Sequence, residues 1–186
     1  MPTDIHGGSM VFFGALSGTR PVRSIVAATI AREKAILSDA LLDLLPATLE
    51  RWRVETRALL DRFRATGRSV WMYGGSAKAA TFVNAVGISE RDVAYCADST
   101  EEKIGKFLPG TGIEIRTEKE AIDARPDYYL VTAWNYRNEL IQKVRAGGNT
   151  HSGFAVPFPE VQIIVTSAAD IYAPSQGQQA SARAAE

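Results

Sequence analysis

From residue 68 onward, short apolar runs alternate with segments of helical periodicity. In chain order these are SVWMY (69–73), SAKAATFVNAVG (76–87), VAYCAD (93–98), IEI (113–115), YYLVTAW (128–134), NYRNELIQKVRAGG (135–148) and FAVPFPEVQIIV (154–165). Successive strand–helix–strand units place their strands parallel in one sheet, because the helix carries the chain back to the edge where the strand began. The pattern therefore predicts an α/β, Rossmann-like fold with a mostly parallel sheet flanked by helices.

The residues ahead of this region have a different pattern. The apolar run MVFFGAL (10–16) predicts an N-terminal strand, and helical periodicity extends from about residue 22 to Gly67. Pro46 is expected at the first position of a second helix, whose apolar stripe predicts packing on the sheet. We therefore expect four parts: an N-terminal segment with a strand (1–20), a helical segment (21–67), a Rossmann-like nucleotide-binding domain (68–170) and a disordered tail (171–186).

Charge and cysteine content exclude several classes of function. The chain has 21 basic and 21 acidic residues, so nothing indicates a nucleic-acid partner. Its single cysteine, Cys96, lies in an apolar stretch and is expected to be a buried, inert thiol. His6, His151 and Cys96 lack metal-ligand spacing, so no metal site is predicted. Without a signal pattern or a membrane span, the sequence predicts a soluble, cytoplasmic protein.

A glycine pair follows the first strand of the alternating region. Tyr73, Gly74, Gly75, Ser76 and Lys78 lie where the strand should end and a helix should begin. Small residues there let a ligand approach the backbone, and the free N–H groups of a helix start favour a phosphate. We predict that Gly74, Gly75 and Ser76 present N–H groups to a diphosphate, with Lys78 or Lys103 adding charge. The alternative is that the glycines only let the helix pack against the strand.

Further candidates follow the next strands. Asp98 lies 23 residues after Gly75, where a dinucleotide-binding fold places its ribose contact, although it could instead cap the following turn. Thr111, in the loop after Asp98, is the other candidate for the ribose. After the later strand YYLVTAW, Trp134 and Tyr136 are expected to stack on a base. Asn135 could bind that base, but capping the next helix is the favoured interpretation.

Several stretches occur together in an order typical of one family. They are HGGS (6–9), YGGSAKAATFVNAVGI (73–88), D-x-x-x-x-K-x-G-x-F-x-P-G-T-x-I from Asp98 to Ile113, PDYYLVTAWNYRNEL (126–140), AGG (146–148) and PFPEVQII (157–164). In this order and spacing the chain resembles the carboxyl-terminal domain of the S-adenosylmethionine-dependent sugar C-methyltransferases. Members of that family methylate a carbon of nucleotide-linked keto-deoxysugars.

The resemblance implies a role in binding the substrate, and it also implies that two portions found in the family are not present in this sequence. In the family, a cysteine-rich zinc-binding portion and a central domain holding the methyl donor precede this domain, which helps to hold the nucleotide of the substrate. This chain has no cysteine cluster and no donor-binding glycine stretch. We therefore expect a nucleotide-linked sugar as ligand, no cofactor in this chain, and no catalytic competence by itself. His6 is the one weak catalytic candidate, and a separate methyltransferase chain acting in trans is one expected partner.

Two other functions remain open at this point. One is an independent small-molecule or nucleotide-binding module without transferase activity. The other is a self-sufficient enzyme, such as a nicotinamide-dependent one. The second lacks a G-x-G-x-x-G motif and has no evident proton donor besides His6 and Lys78.

Overall fold

The alternation after residue 68 is present in the computed structural model, which describes residues 2–3 and 9–165. The chain divides into two compact units between Val54 and Glu55. This division falls inside a helix and not at the expected 67/68 boundary. His6 and the tail 171–186 lie outside the described residues.

The first unit begins with a short pair of strands. β1 (Pro2–Thr3) and β2 (Ser9–Met10) are antiparallel. The strand predicted over 10–16 is wrong beyond Met10, because Val11 to Leu16 lie in irregular backbone with exposed side chains. A strand needs a neighbour for its N–H and C=O groups. Within the described residues, β1 provides that neighbour only for Ser9 and Met10.

Two helices follow. α1 spans Ser24–Ile36 and has no buried residue, and α2 spans Asp39–Ala65. The prediction that Pro46 opens the second helix is wrong, because Pro46 lies inside α2. The helix begins earlier because Ser38 accepts a hydrogen bond through Oγ from the Leu41 N–H (3.3 Å), as an N-cap does.

The second unit contains a six-stranded sheet. Its strands are β3 (Val70–Tyr73), β4 (Cys96–Asp98), β5 (Ile115–Thr117), β6 (Tyr128–Val131), β7 (Gly153–Val156) and β8 (Gln162–Ile164). The strand order is β5-β4-β3-β6-β7-β8, and all neighbours are parallel except β7 and β8. The predicted α/β, Rossmann-like fold with a mostly parallel sheet is confirmed.

Helices cover both faces of this sheet, which is why every residue of β3, β6 and β7 is buried. The helices between the strands are α3 (Ala77–Val86), α4 (Glu118–Ala124) and α5 (Arg137–Ala146), and 3₁₀ turns occur at Glu101–Lys103 and Trp134–Tyr136. On one face, Tyr73 and Tyr129 pack with Ala121 of α4 and Val144 of α5. Strand side chains alternate between faces. Tyr128 therefore points to the other face, where Phe63 of α2 stacks on its ring at 4.1 Å.

The order of strands reverses between β3 and β6. The chain proceeds from β3 outward to β4 and β5, and then returns to place β6 on the other side of β3. Loops that leave such a switch point diverge, and the crevice between them is where open α/β sheets bind ligands. The loops concerned are those after Tyr73 and after Val131.

Candidate functional site

Gly74 joins the two loops of the switch point by close packing. Its N–H donates to the Ala97 carbonyl (2.8 Å), and its φ is +105°. A Cβ at this position would lie 2.6 Å from the Cβ of Ala133, in the loop after β6. Thr132 also joins the two loops, because its hydroxyl lies within hydrogen-bonding distance of the carbonyl oxygens of Tyr73 (2.9 Å) and Gly74 (2.6 Å). Glycine is thus required here by the backbone and by the protein's own neighbouring loop.

The N–H group of Gly75 also has a partner within the protein. Its N–H donates to Oδ2 of Asp98 (2.8 Å), and a Cβ would lie 3.1 Å from that oxygen and 3.3 Å from Sγ of Cys96. The expected donation of the Gly74 and Gly75 N–H groups to a diphosphate is therefore not what the structure shows. The physical reason is that sheet pairing and the Asp98 carboxylate use both groups first. The glycine pair matches the packing alternative.

Asp98 closes β4 and is surrounded by donors. Besides Gly75, it accepts from the Thr100 N–H (2.9 Å) and from Nζ of Lys103 (3.1 Å). Burial acts to raise the pKa of Asp98, but the hydrogen bonds from Thr100, Lys103 and Gly75 outweigh it and hold the pKa below its ordinary value. Lys103 also donates to the Gly75 carbonyl (3.1 Å). The carboxylate therefore positions the loop after β3.

The same contacts test whether this strand end fits a methyl donor or a dinucleotide. In Rossmann-like sites the carboxylate after the second strand receives ribose hydroxyls. Here the carboxylate of Asp98 already has three protein partners, and the glycine turn has no room for an approaching ligand at Gly74. These residues do not fit S-adenosylmethionine or a dinucleotide. Cys96 beside them is fully buried, and burial raises the pKa of its thiol to about 12, as expected for an inert cysteine.

The start of α3 carries the donors that remain. Ser76 caps this helix, since its Oγ accepts from the Ala79 N–H (3.3 Å). The N–H groups of Ser76, Ala77 and Lys78 have no acceptor among the described residues, and the last two cannot find one within a helix. Ala77 and Lys78 are exposed. The helix start therefore has three N–H groups without an acceptor among the described residues, together with an exposed lysine, at the switch point.

Aromatic rings lie beside this helix start. Nζ of Lys78 is 5.6 Å from the centre of the Trp134 ring, and the rings of Trp134 and Phe158 are 5.1 Å apart. Phe82 of α3 contacts Trp134 in an edge-to-face arrangement, with the two ring centres 6.3 Å apart. Phe158 and Tyr136 are 42% and 40% exposed. The structure thus brings Ser76, Lys78 and Trp134 together.

The other predicted site residues have different surroundings. Tyr73 is 1% exposed, and its hydroxyl donates to Oε1 of Glu118 (2.9 Å), which also pairs with Lys143. Burial and the nearby Glu118 carboxylate raise the pKa of the Tyr73 phenol. Asn135 lies in the 3₁₀ turn before α5. The expectation that it caps this helix is wrong, because Tyr136 occupies the N-cap position of α5 and makes no side-chain cap.

Thr111 lies away from the switch point. The chain after the 3₁₀ turn Glu101–Lys103 runs back along the sheet in a hairpin-like loop, bridged between Phe107 and Glu114. At its tip the Thr111 carbonyl accepts from the Glu90 N–H (3.3 Å), beyond the carboxyl end of α3. The Thr111 hydroxyl is buried and bonds Leu108 and Ile113. The expectation that Thr111 faces a ribose at the Asp98 end is wrong, because the loop reverses direction.

Sequence reasoning missed Phe158 and Thr132. Phe158 follows the carboxyl end of β7 by two residues, so the rule that was applied to the earlier strands could have found it. Thr132 follows β6 directly and is fully buried, a position that composition does not distinguish from a core threonine.

Other features of the described residues add no competing site. Among them, no group of His, Cys, Asp and Glu is arranged to hold a metal, and no helix has the length and apolar character of a membrane span. A cavity of about 50 Å³ lies at the amino ends of the strands, beside Arg68, Asp127 and His151. It has room for roughly a few water molecules. The Asp127 carboxylate there is already bonded to Ser69 and Arg68.

Comparison with known proteins adds to this geometry. Residues 4–159 match the model of the C-methyltransferase C-terminal domain. The chain is 35% identical over 164 residues to the C-methyltransferase NovU of Streptomyces niveus. That alignment covers 87% of this chain but 39% of NovU, so the chain spans well under half the length of this relative. With its α/β sheet and a match over most of its length, the chain belongs to the C-methyltransferase C-terminal domain family.

Proposed function

We propose that this domain binds the nucleotide-linked sugar substrate of a C-methyltransferase, in the cytoplasm and in deoxysugar biosynthesis. The diphosphate lies at the start of α3. The observation that carries the proposal is the convergence of three N–H donors, the Lys78 ammonium group and the Trp134 ring at the sheet's switch point. Each of these groups suits one part of a nucleoside diphosphate.

The phosphate part is supported by charge and by donor geometry. The N-terminus of α3 carries partial positive charge, and the N–H groups of Ala77 and Lys78 belong to its first turn, where helical N–H groups point toward a ligand at the helix start. Lys78 adds a full charge on the same turn. Gly74 and Gly75 act indirectly, since their packing on Ala133 and Asp98 fixes where the helix starts.

The base is proposed to stack on the aromatic group formed by Trp134, Tyr136 and Phe158. Trp134 is half-buried between Lys78 and Phe158, whereas Tyr136 and Phe158 are exposed. Stacking of a base on an aromatic ring contributes about 1–3 kcal/mol. Lys103 and Asp98 hold the loop after β3, and Asn135 belongs to the turn that presents Trp134.

The described residues supply binding and no step of methyl transfer. The methyl group comes from S-adenosylmethionine, which binds to the methyltransferase portion of the enzyme. That portion is on the same polypeptide or on a separate chain acting in trans. The Tyr73 phenol and the Cys96 thiol, which lie beside the turn, are buried, and their pKa values are raised. The role of this domain is therefore to hold and orient the substrate.

Titration of deoxythymidine diphosphate by calorimetry tests the proposal. The parent should show saturable binding, and Lys78→Ala should weaken it by roughly ten- to a hundredfold, since a charged hydrogen bond contributes about 1.5–3 kcal/mol. Trp134→Leu should weaken it by roughly fivefold or more through lost stacking. Lys119→Ala is the matched control, because Lys119 is an exposed helical lysine paired with Asp123.

Melting temperatures measured in parallel separate binding from folding. Lys78→Ala and Lys119→Ala should both melt close to the parent, since both side chains are exposed. Parent-like affinity in Lys78→Ala, or the same loss in Lys119→Ala, would contradict the proposed phosphate site. Absence of saturable binding to the parent would contradict the function itself.

A further inference from the structure

One apolar stripe runs along the whole of α2. Its members alternate at spacings of three and four residues, which keeps them on one side of a helix. They are Leu42, Leu45, Leu49, Trp52, Thr56, Leu59 and Phe63. A helix of 27 residues is about 40 Å long, so the stripe is longer than the surface that one neighbouring element covers.

The two halves of the stripe have opposite environments. Thr56, Leu59 and Phe63 are buried, with Leu59 and Phe63 at 5% exposure. Leu42, Leu45 and Leu49 are 52%, 46% and 55% exposed. The exposed leucines therefore lie on the same side of the same helix as the side chains that are buried within the domain.

The neighbouring helix adds to the exposed apolar surface. Ile25, Val26 and Ile30 of α1 are all exposed, and α1 has no buried residue. α1 therefore does not bury its own apolar side chains on the first half of α2. Acidic and basic residues are equal in number between residues 24 and 54, so the stretch carries no net charge. Exposed apolar side chains without a dominant charge are typical of a protein–protein contact.

The family match indicates what covers this surface. The match begins at residue 4 and describes a C-terminal domain, so in the family the rest of the protein precedes it. Most of NovU lies outside the part aligned with this chain. The exposed helical segment, residues 24–54, lies in the amino-terminal part of the matched range.

We propose that the exposed helical segment is the docking surface for the methyltransferase portion of a C-methyltransferase. The contact is apolar and centres on Leu42, Leu45 and Leu49. These three leucines lie on the same stripe of α2 as the buried Thr56, Leu59 and Phe63. This inference depends on family membership and not on nucleotide binding by Lys78.

Hydrogen exchange measured by mass spectrometry tests the docking. The chain alone is compared with the same chain mixed with NovU lacking its matched segment, and with a chimera in which residues 4–159 replace that segment of NovU. The chimera raises the effective concentration of the contact. Amides of residues 39–54 should exchange at least about tenfold more slowly in the chimera, because docking suppresses local opening of the helix.

Two variants give the test its specificity. Leu45→Glu places a charge in the stripe and should abolish the protection, whereas Ala47→Glu places the same charge on the opposite side of the same turns and should leave it intact. Both positions are exposed and glutamate is a good helix former, so neither variant should change the melting temperature of the chain.

Three outcomes would overturn the proposal. The first is equal exchange of residues 39–54 in the isolated chain and in a chimera that still binds S-adenosylmethionine. The second is equal loss of protection in Leu45→Glu and Ala47→Glu. The third is a stable dimer of the isolated chain that Leu45→Glu dissociates and the NovU portion does not, since the occupant would then be a second copy of this chain.

Discussion

The two halves of α2 share one helix and one apolar stripe, yet only the second half is buried. Phe63 stacks on Tyr128 of the sheet, whereas Leu49, about three helical turns before Leu59 on the same stripe, is 55% exposed. Periodicity determines which side of a helix is apolar, but it does not determine what lies against that side. A surface is buried only where another element of the fold faces it.

Ion pairs differ between the halves in the same way. In the first half Arg53 and Glu50 form a pair on the helix surface. In the second half Arg57 makes a two-point contact with Asp92, whose side chain is 3% exposed, at 3.0 and 2.5 Å. Only the second pair joins residues distant in sequence, and it ties α2 to the loop before β4. Such a pair depends on the fold, whereas the first needs only a helix.

The largest difference between the halves should appear when each loses one apolar side chain. Phe63→Ala should lower the free energy of unfolding by about 3–5 kcal/mol, because it leaves a cavity against Tyr128. Leu49→Ala should change it by less than about 0.5 kcal/mol, since Leu49 is exposed. Urea denaturation followed by circular dichroism measures both. Equal losses in the two variants would mean that the first half is buried in solution.

A smaller difference should appear in the dependence of stability on pH. Burial acts to raise the pKa of Asp92, but hydrogen bonds from Arg57 and Ser89 hold it below its ordinary value. The stability that this carboxylate contributes is complete above the ordinary pKa of about 4 and is lost as the pH falls through the lower, folded value, because the unfolded chain takes up the proton first. Asp92→Asn should be about 1–3 kcal/mol less stable at pH 7 and should lose less on acidification below about pH 4.

Glu50→Gln is the matched control for that experiment. It removes the carboxylate of the exposed pair in the first half, so its curve of stability against pH should follow the parent's. Urea midpoints measured between about pH 2 and pH 7 give the comparison. If Asp92→Asn lost as much stability below pH 4 as the parent, or if Glu50→Gln lost less than the parent, the assignment of the stabilising pair to the second half would be wrong.

The smallest effect concerns the start of α2. Ser38→Ala removes the cap on the Leu41 N–H and should cost the first turns of the helix about 1 kcal/mol. Because the first half has no buried residue, this loss should speed hydrogen exchange near residues 39–45 without moving the urea midpoint of the sheet. Thr66→Ala, which removes a hydroxyl bonded to carbonyls at the other end of α2, provides a comparison in the buried half. A midpoint shift in Ser38→Ala would show that both halves unfold together.

Much of the fold and part of the site could be predicted from the sequence. Alternating apolar runs and helical segments indicated a parallel sheet, and strand ends located Ser76, Lys78 and Trp134 near one another. These predictions succeed because strand, helix and turn preferences are local and because parallel strands end at a common edge. Local preference also misled at Met10–Leu16, where an apolar run has no strand beside it beyond its first residue.

By itself the sequence determined the kinds of elements, their parallel arrangement, the side of each helix that is apolar and the family. The tertiary structure decided how the polar groups are used. Gly75 gives its N–H to Asp98, Thr111 is carried to the far end of the sheet, and the stripe of α2 is buried over only half its length. The reason is that hydrogen-bond partners and buried contacts join residues far apart in the chain, so they depend on the path of the loops, which no local pattern encodes.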